Sequence, residues 1–188
     1  KNKKMTAPSF DSFGWLWVAE SDGAVRAYNA ASTNEKERSK GIEIPVSWRS
    51  GMTFSSLRIS HDGARVVVVG TRDGTAAVVM SGVVRDSSGT PKGFTEPVRV
   101  TSSITPRTAV WAGEQNLVVV NDKTGESEVT TLSGEETKFD RLDGVKSVSA
   151  AGNTSNMLAH RSDGSCYVLE ERGWNRLNTS TREMSFAG

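Results

Sequence analysis

Apolar residues in this chain fall in short bursts, and helical three-to-four spacing is almost absent. Trp15–Ala19, Val66–Gly70, Leu117–Asn121 and Met157–Arg161 are four such bursts, each with Gly, Asp, Asn or Ser close by. Runs rich in Val, Leu and Trp between turn formers predict β-strands, and near-continuous apolar runs predict strands covered on both faces. Asp22-Gly23, Asp73-Gly74 and Asp163-Gly164 are two-residue hairpin signals, because Asp followed by Gly tolerates positive φ. Asp122 to Gly125 is a four-residue equivalent. Asp22 to Asp73 is 51 residues, Asp73 to Asp122 is 49, and Asp122 to Asp163 is 41. A second set of turns, Asp11–Gly14, His61–Gly63, Gly113–Asn116 and Gly152–Asn156, recurs in step with the first. Four strands in units of about 40–50 residues predict an all-β propeller built of four-stranded antiparallel blades.

Within each unit the strands are named A to D. The A strands are expected at Ala7–Ser12, Ser55–Ser60, Thr108–Ala112 and Ser147–Ala151. They are rich in Ser, Ala and Thr, which suits a crowded axis. The apolar bursts above are the B strands. Ala24–Tyr28, Thr75–Val84, Ser127–Leu132 and Cys166–Glu170 are the C strands, where apolar and polar residues alternate more. The D strands, most polar and outermost, are expected at Glu43–Trp48, Glu96–Val100, Thr137–Leu142 and Asn175–Asn178. The blades would span about 7–48, 53–100, 107–142 and 146–178, in a single propeller domain or most of one. Arg182–Gly188 resembles the start of another A strand, and the ends are abrupt, so part of a larger ring is expected over a four-bladed ring. A sandwich or an up-and-down barrel of similar strand count is the competing architecture. Ala31–Gly41 and Asp86–Gly93 join C to D and read as mobile surface loops.

Composition narrows the function more than the fold. Lys and Arg number 23 against 22 Asp and Glu, so the net charge of +1 offers no basis for nucleic acid as a partner. No apolar run approaches the roughly 20 residues of a membrane span. The basic start at Lys1, Lys3 and Lys4 reads as solvated chain. Cys166 stands alone, which excludes an internal disulfide or a thiolate metal cluster and suits a buried inert thiol.

Catalytic signatures are absent: no metalloprotease, nucleophile-elbow, phosphate-loop or dinucleotide motif occurs. His61 and His160, the two histidines, have no partner set by spacing. Asp11, Asp62, Asp73 and Asp163 could supply a carboxylate pair for glycoside hydrolysis, but their places in turns explain them as backbone-bonding residues. Ser9, Asp11, Gly14 and Trp17 resemble the Asp box of sialidase propellers with one extra residue, a motif whose Asp is structural. Asn153-Thr154-Ser155 and Asn178-Thr179-Ser180 are glycosylation sequons, relevant only to a eukaryotic secretory route. No catalytic, cofactor or metal residue is assigned. The five tryptophans are expected in the core. Trp48 and Trp174, at outer or edge positions, are the candidates for an exposed contact, with Glu35, Lys36 and Arg38 of the charged connection.

Two segments carry a family likeness. Pro8-Ser9-Phe10-Asp11-Ser12-Phe13-Gly14-Trp15-Leu16-Trp17 resembles the Pro-Ser-aromatic-Asp…Gly-Trp-x-Trp segment of the actinobacterial lipoprotein LpqB family. Leu57-Arg58-Ile59-Ser60-His61-Asp62-Gly63-Ala64-Arg65-Val66 resembles that family's Ile-Ser-Pro-Asp-Gly-x-Arg-Val-Ala repeat, with His61 in place of the usual Pro. TolB-like propellers share the second motif. The likeness covers residues 7–120 well and the remainder loosely. It implies the C-terminal propeller of a lipid-anchored, extracytoplasmic protein, with a germination/sporulation-type domain ahead of it and the anchor outside this chain. It further implies a non-enzymatic, monomeric interaction module that modulates the sensor kinase of an MtrA–MtrB-type two-component system by contacting its extracellular domain. The competing expectation is a cell-envelope hydrolase or sugar-binding propeller, with a carboxylate pair or aromatic platform at the channel mouth. A third is a small-molecule sensor that binds in the channel.

Overall fold

The computed structural model describes residues 4–133, 141–150, 157–170 and 173–177. The first sheet contains β1 (Ser9–Phe10), β2 (Trp15–Ala19), β3 (Val25–Asn29) and β4 (Ile42–Ile44), with a short helix α1 (Glu35–Ser39) before β4. The second contains β5 (Thr53–Ile59), β6 (Arg65–Arg72), β7 (Thr75–Arg85), β8 (Pro91–Phe94) and β9 (Val98–Val100). The third contains β10 (Thr108–Ala112), β11 (Asn116–Asn121) and β12 (Glu126–Thr131). The fourth contains β13 (Val145–Ala150), β14 (Met157–Arg161), β15 (Cys166–Glu170) and β16 (Gly173–Arg176). Each sheet is an antiparallel meander in chain order, save that β9 returns to pair with β7.

One of the three Asp-Gly pairs forms the expected two-residue turn; at Asp22-Gly23 and Asp163-Gly164 only the Gly takes positive φ, and each loop holds three residues, closed by the Glu20 amide on the Ala24 carbonyl and the Arg161 amide on the Ser165 carbonyl. Asp73 (φ 50°) and Gly74 (φ 76°) both take positive φ, the geometry that lets a two-residue turn follow the twist of β6 and β7. From that turn the two strands pair without a break from Arg72↔Thr75 to Arg65↔Gly82.

Burial of the B strands decides how the sheets stack. Successive side chains on a strand point to opposite faces. Val66 and Val68 of β6 enter a core shared with Trp17, Ala19, Val25 and Ile44 of the first sheet. Val67 and Val69 enter a different core, shared with Ala109, Trp111, Leu117 and Val119 of the third. The alternation repeats one sheet on: Val118 and Val120 of β11 pack with Val145, Met157, Ala159 and Leu169 of the fourth. Both faces of the β6 and β11 sheets are therefore covered by neighbouring sheets. Each fully buried valine contributes about 1.5–3 kcal/mol of transfer free energy. A sandwich strand has one face toward the core and one toward solvent. Radial stacking of blades is the arrangement that covers both, so the fold is a β-propeller.

Several boundaries differ from the sequence reading. The connection at Ala31–Gly41 holds helix α1, capped by Asn34, whose side chain accepts a hydrogen bond from the Lys36 amide. The stretch Asp86–Gly93 is a tight turn leading into β8, closed by Asp86 Oδ1, which accepts from the Ser88 and Thr90 amides. The second blade thus has five strands. The expected strand at Glu43–Trp48 shortens to Ile42–Ile44 and leaves Trp48 in the following loop, and Asn175–Asn178 moves to Gly173–Arg176. Of Thr137–Leu142, residues 137–140 lie outside the described residues, and Arg141 and Leu142 are not in a strand. The turn at Gly152–Asn156, both sequons' acceptor residues and Arg182–Gly188 also lie outside them.

Candidate functional site

The innermost strands β1, β5, β10 and β13 run side by side, and their C-terminal ends surround a cleft of about 480 Å³. All four blades contribute to its wall, through Phe10, Arg58, His61, Trp111 and Ser149 among others. In a meander the A–B turns and the C–D connections emerge at the same end. The cleft therefore opens on the face that carries Asp11–Gly14, His61–Gly63, helix α1 and the Asp86–Thr90 turn. The hairpins at Asp22-Gly23, Asp73-Gly74, Asp122–Gly125 and Asp163-Gly164 lie on the opposite face.

Arg58 sits in the wall. Its Nη1 donates to the carbonyl oxygens of Ala7 (2.8 Å), Pro8 (3.4 Å) and Leu57 (3.2 Å), which ties β5 to the chain entering β1. Burial pulls its pKa below the usual arginine value. The guanidinium stays charged at neutral pH. Trp111 is buried beside it and donates from Nε1 to the Arg58 carbonyl at 3.0 Å. The Arg65 guanidinium lies 5.9 Å from the Trp111 ring centre, a further link between the second and third blades.

Asp11, which the motif singled out, is buried beneath this face. Its Oδ1 accepts from the amides of Phe13 and Trp15, both at 2.9 Å. Oδ2 accepts from Trp17 Nε1 at 2.9 Å and from Arg85 Nη2 at 2.5 Å. The first three contacts hold the β1–β2 turn in shape. The fourth is an ion pair to the neighbouring blade, with 0% of the Asp11 side chain and 12% of Arg85 exposed. Arg85 also donates to the Gly63 and Gly89 carbonyls and stacks on the Phe13 ring at 4.5 Å. Asp11 is a structural hub, in line with the Asp-box likeness, and its carboxylate has no open side for substrate.

Of the remaining carboxylates of the glycosidase idea, Asp62 and Asp163 are engaged in their own turns. Burial alone would raise the Asp62 pKa, but hydrogen bonds from Ser60 Oγ and the Ala64 amide, with the charge of Arg65, outweigh it and lower it. The hydroxyl and amide of Ser165 lower the pKa of Asp163. Asp73 and Asp163 lie on the hairpin face, away from the cleft. His61 is exposed in its turn and His160 is exposed on β14, opposite half-buried Cys166. Among the described residues no group of three or more His, Cys, Asp and Glu is placed to hold a metal ion.

The structure distributes the candidate contact residues over three places. Glu35, Lys36 and Arg38 are exposed on α1, on the cleft face. Arg38 is partly engaged, since Nη1 donates to the Ser32 and Thr33 carbonyls. Trp48 lies toward the hairpin face, where Arg72 donates to its carbonyl. It is half-buried, and its ring packs 5.9 Å from Phe54 and 6.3 Å from Phe94. Trp174 is half-buried on β16 against the core between the third and fourth blades. Both indoles are half-buried, so each keeps part of its surface open to solvent. Sequence reasoning missed Arg58 and Arg85. Arg58 reads as one polar residue in an alternating strand, and Arg85 meets Asp11 across 74 positions. Exposed Phe10 and Phe13, at 62% and 53%, mark the cleft face instead.

Comparison with known proteins places these features in context. The family model for the lipoprotein LpqB β-propeller domain matches residues 1–184. The chain is similar to lipoprotein LpqB of Streptomyces avermitilis, with 28% identity over 127 residues, 65% of this chain and 20% of that protein. It is similar to lipoprotein LpqB of Streptomyces coelicolor at 28% identity over 136 residues, 66% of this chain and 20% of that protein. The chain thus spans about a fifth of the length of these relatives. Among solved structures it resembles the C-terminal WD40 domain of Sif2, with TM-score 0.53, 14% identity, and coverage of 94% of this chain and 46% of that one. It also resembles Chaetomium thermophilum Raptor, with TM-score 0.53, 14% identity, and coverage of 97% and 17%. At that identity the likeness speaks to the fold alone.

Proposed function

Since the chain belongs to the lipoprotein LpqB β-propeller family, we propose that it is the recognition module of an extracytoplasmic lipoprotein, anchored by lipid outside this segment. It binds the extracellular domain of a sensor histidine kinase of the MtrB type and biases that kinase between two signalling states. It does so as a monomer and without catalysis. Part of a larger ring remains our reading of its blade number, in keeping with 94% of the chain covering 46% of one solved WD40 domain.

The observation that carries the reading is the asymmetry of the two faces. The cleft face gathers exposed Phe10 and Phe13, the axial cleft and the exposed charges of α1. Aromatic anchors beside a depression, rimmed by charge, suit protein recognition, in which a few buried aromatics carry most of the energy. The hairpin face offers tight Asp-Gly turns and, among the described residues, no exposed aromatic. No helix among the described residues is long and apolar enough to cross a membrane.

Calorimetric titration of the whole natural polypeptide with the kinase's extracellular domain tests the reading. Binding in the micromolar range is expected, and Phe10→Ala with Phe13→Ala should weaken it by about tenfold or more, the scale of an anchor residue. Absence of binding at about 100 µM of each protein, far above the Kd of a standard interface, contradicts it.

A further inference from the structure

We infer that the axial cleft is a binding site for an organic carboxylate attached to an apolar group, with Arg58 as the residue that receives the carboxylate. Three observations carry this. First, Arg58 is a cation in the cleft wall with no acidic partner among the described residues; its hydrogen bonds are to three backbone carbonyls, all through Nη1. Among the described residues Nε and Nη2 have no hydrogen-bond partner, and together they present the edge that matches a bidentate carboxylate. Second, Arg85, Arg107 and Arg161 meet Asp11, Asp122 and Asp163, whereas Arg38 and Arg72, like Arg58, donate to backbone carbonyls. Of these three, Arg58 is the one in the cleft wall where all four blades converge. Third, the cleft volume of about 480 Å³ falls in the range of small-molecule sites, and apart from His61 and Asp11, whose carboxylate is buried against Arg85, the rest of its wall is mostly apolar or weakly polar, with Phe10, Val110, Trp111 and Val148 around Ser149.

Electrostatics strengthen the assignment. Burial already removes part of the Arg58 hydration, as its lowered pKa reflects. A partly desolvated cation gains more from an anion than an exposed one does, because the local dielectric is lower. His61 at the rim adds a polar group able to donate to the same anion. The apolar wall selects against a free inorganic ion, which would have to leave water without covering the aromatic surface. The ligand is either a free organic acid or the carboxyl terminus of a peptide, both of which present the same group.

The test uses the whole natural polypeptide that contains this propeller, titrated by calorimetry with 3-phenylpropionate, its neutral amide, inorganic phosphate and a short peptide ending in a phenylalanine carboxylate. The acid is expected to bind at least about tenfold tighter than the amide and tighter than phosphate, the scale of one charge-assisted hydrogen-bonded pair. Arg58→Gln should abolish that acid-over-amide preference, and Arg58→Lys should retain part of it. Loss of the tie to Ala7 lowers stability but does not alter selectivity, so the ratio separates binding from folding. Should Arg58→Gln fail to fold, Ser149→Phe, a change at an exposed position on the cleft wall, should block the acid while leaving the melting temperature near the parent's. Tighter binding of the peptide than of the acid assigns the site to chain termini, and the reverse assigns it to free acids. Equal affinity for acid and amide, equal affinity for phosphate, no binding at about 10 mM, or a preference unchanged in both variants overturns the inference.

Discussion

Replacing Asp11 by Asn changes few atoms and should destabilise the propeller more than many core truncations. Oδ1 can still accept from the Phe13 and Trp15 amides. The new amide NH₂ stands where Oδ2 stood and faces two donors, Trp17 Nε1 at 2.9 Å and Arg85 Nη2 at 2.5 Å. Two charge-assisted hydrogen bonds are lost, and the guanidinium is left only 12% exposed without its counter-charge. Removing one partner of a buried ion pair costs about 3–5 kcal/mol. At about 2–4 °C per kcal/mol for a domain of this size, the melting temperature should fall by about 6–20 °C. Arg85→Met removes the cation and fills its stem volume, while Asp11 keeps its three other donors; we expect a smaller loss, about 1–3 kcal/mol. The double variant should recover part of the Asp11→Asn loss, because no unpaired charge remains, with a coupling of about 1–3 kcal/mol. Urea unfolding followed by tryptophan fluorescence measures all four proteins. An Asp11→Asn loss below about 1 kcal/mol, or an Arg85→Met loss equal to or larger than it, refutes the hub assignment.

Further perturbations probe other parts of the account. Gly14→Ala should cost about 2 kcal/mol or more, since φ is +81° and an added Cβ would sit 2.4 Å from the Ala31 Cβ; thermal melting equal to the parent's would contradict that close approach. Leu57→Ala, at a fully buried position between the first two blades, should cost about 2–5 kcal/mol in urea unfolding, and a loss under 1 would show that this core is not packed as described. Asp62, Asp86 and Asp163 all titrate below the ordinary carboxylate range, Asp86 through the Ser88 hydroxyl and the Lys92 ammonium. The unfolded chain therefore takes up protons first as pH falls. The stabilisation is complete above the ordinary value of about 4 and is lost below it as pH drops through the native values. Melting temperature should be flat near neutrality and decline below about pH 4, less steeply in Asp86→Asn, and a rise on acidification would contradict the assigned directions.

What was legible in the chain follows from how local each signal is. Val66–Gly70 and Leu117–Asn121 announced themselves because burial on both faces removes polar residues from the strand, and the Asp-Gly turns because few residues accept positive φ. Their recurrence then fixed the blade period. Helix α1 escaped notice since four charged residues and a serine, with no buried side chain, carry no apolar stripe. Strand β8 was hidden by its Pro, Lys and Gly composition, which a strand with a single hydrogen-bonded neighbour tolerates and a central strand does not. Trp48 and Trp174 were read from their place in the outer parts of the blades. Position along the chain does not disclose that neighbouring rings, Phe54 and Phe94 for Trp48, pack beside the indole. Arg58 and Arg85 act through residues about 50 and 74 positions away, and no spacing rule reaches that far.

The central claim is that recognition belongs to the face bearing the axial cleft. Hydrogen–deuterium exchange of the whole natural polypeptide, with and without the sensor kinase's extracellular domain, tests it most directly. The account predicts new protection at Asp11–Gly14, Glu35–Ser39, His61–Gly63 and Gly113–Asn116, with the Asp-Gly hairpins at 22–23, 73–74 and 163–164 unchanged. Protection confined to those hairpins, or none anywhere at saturating partner, would contradict it.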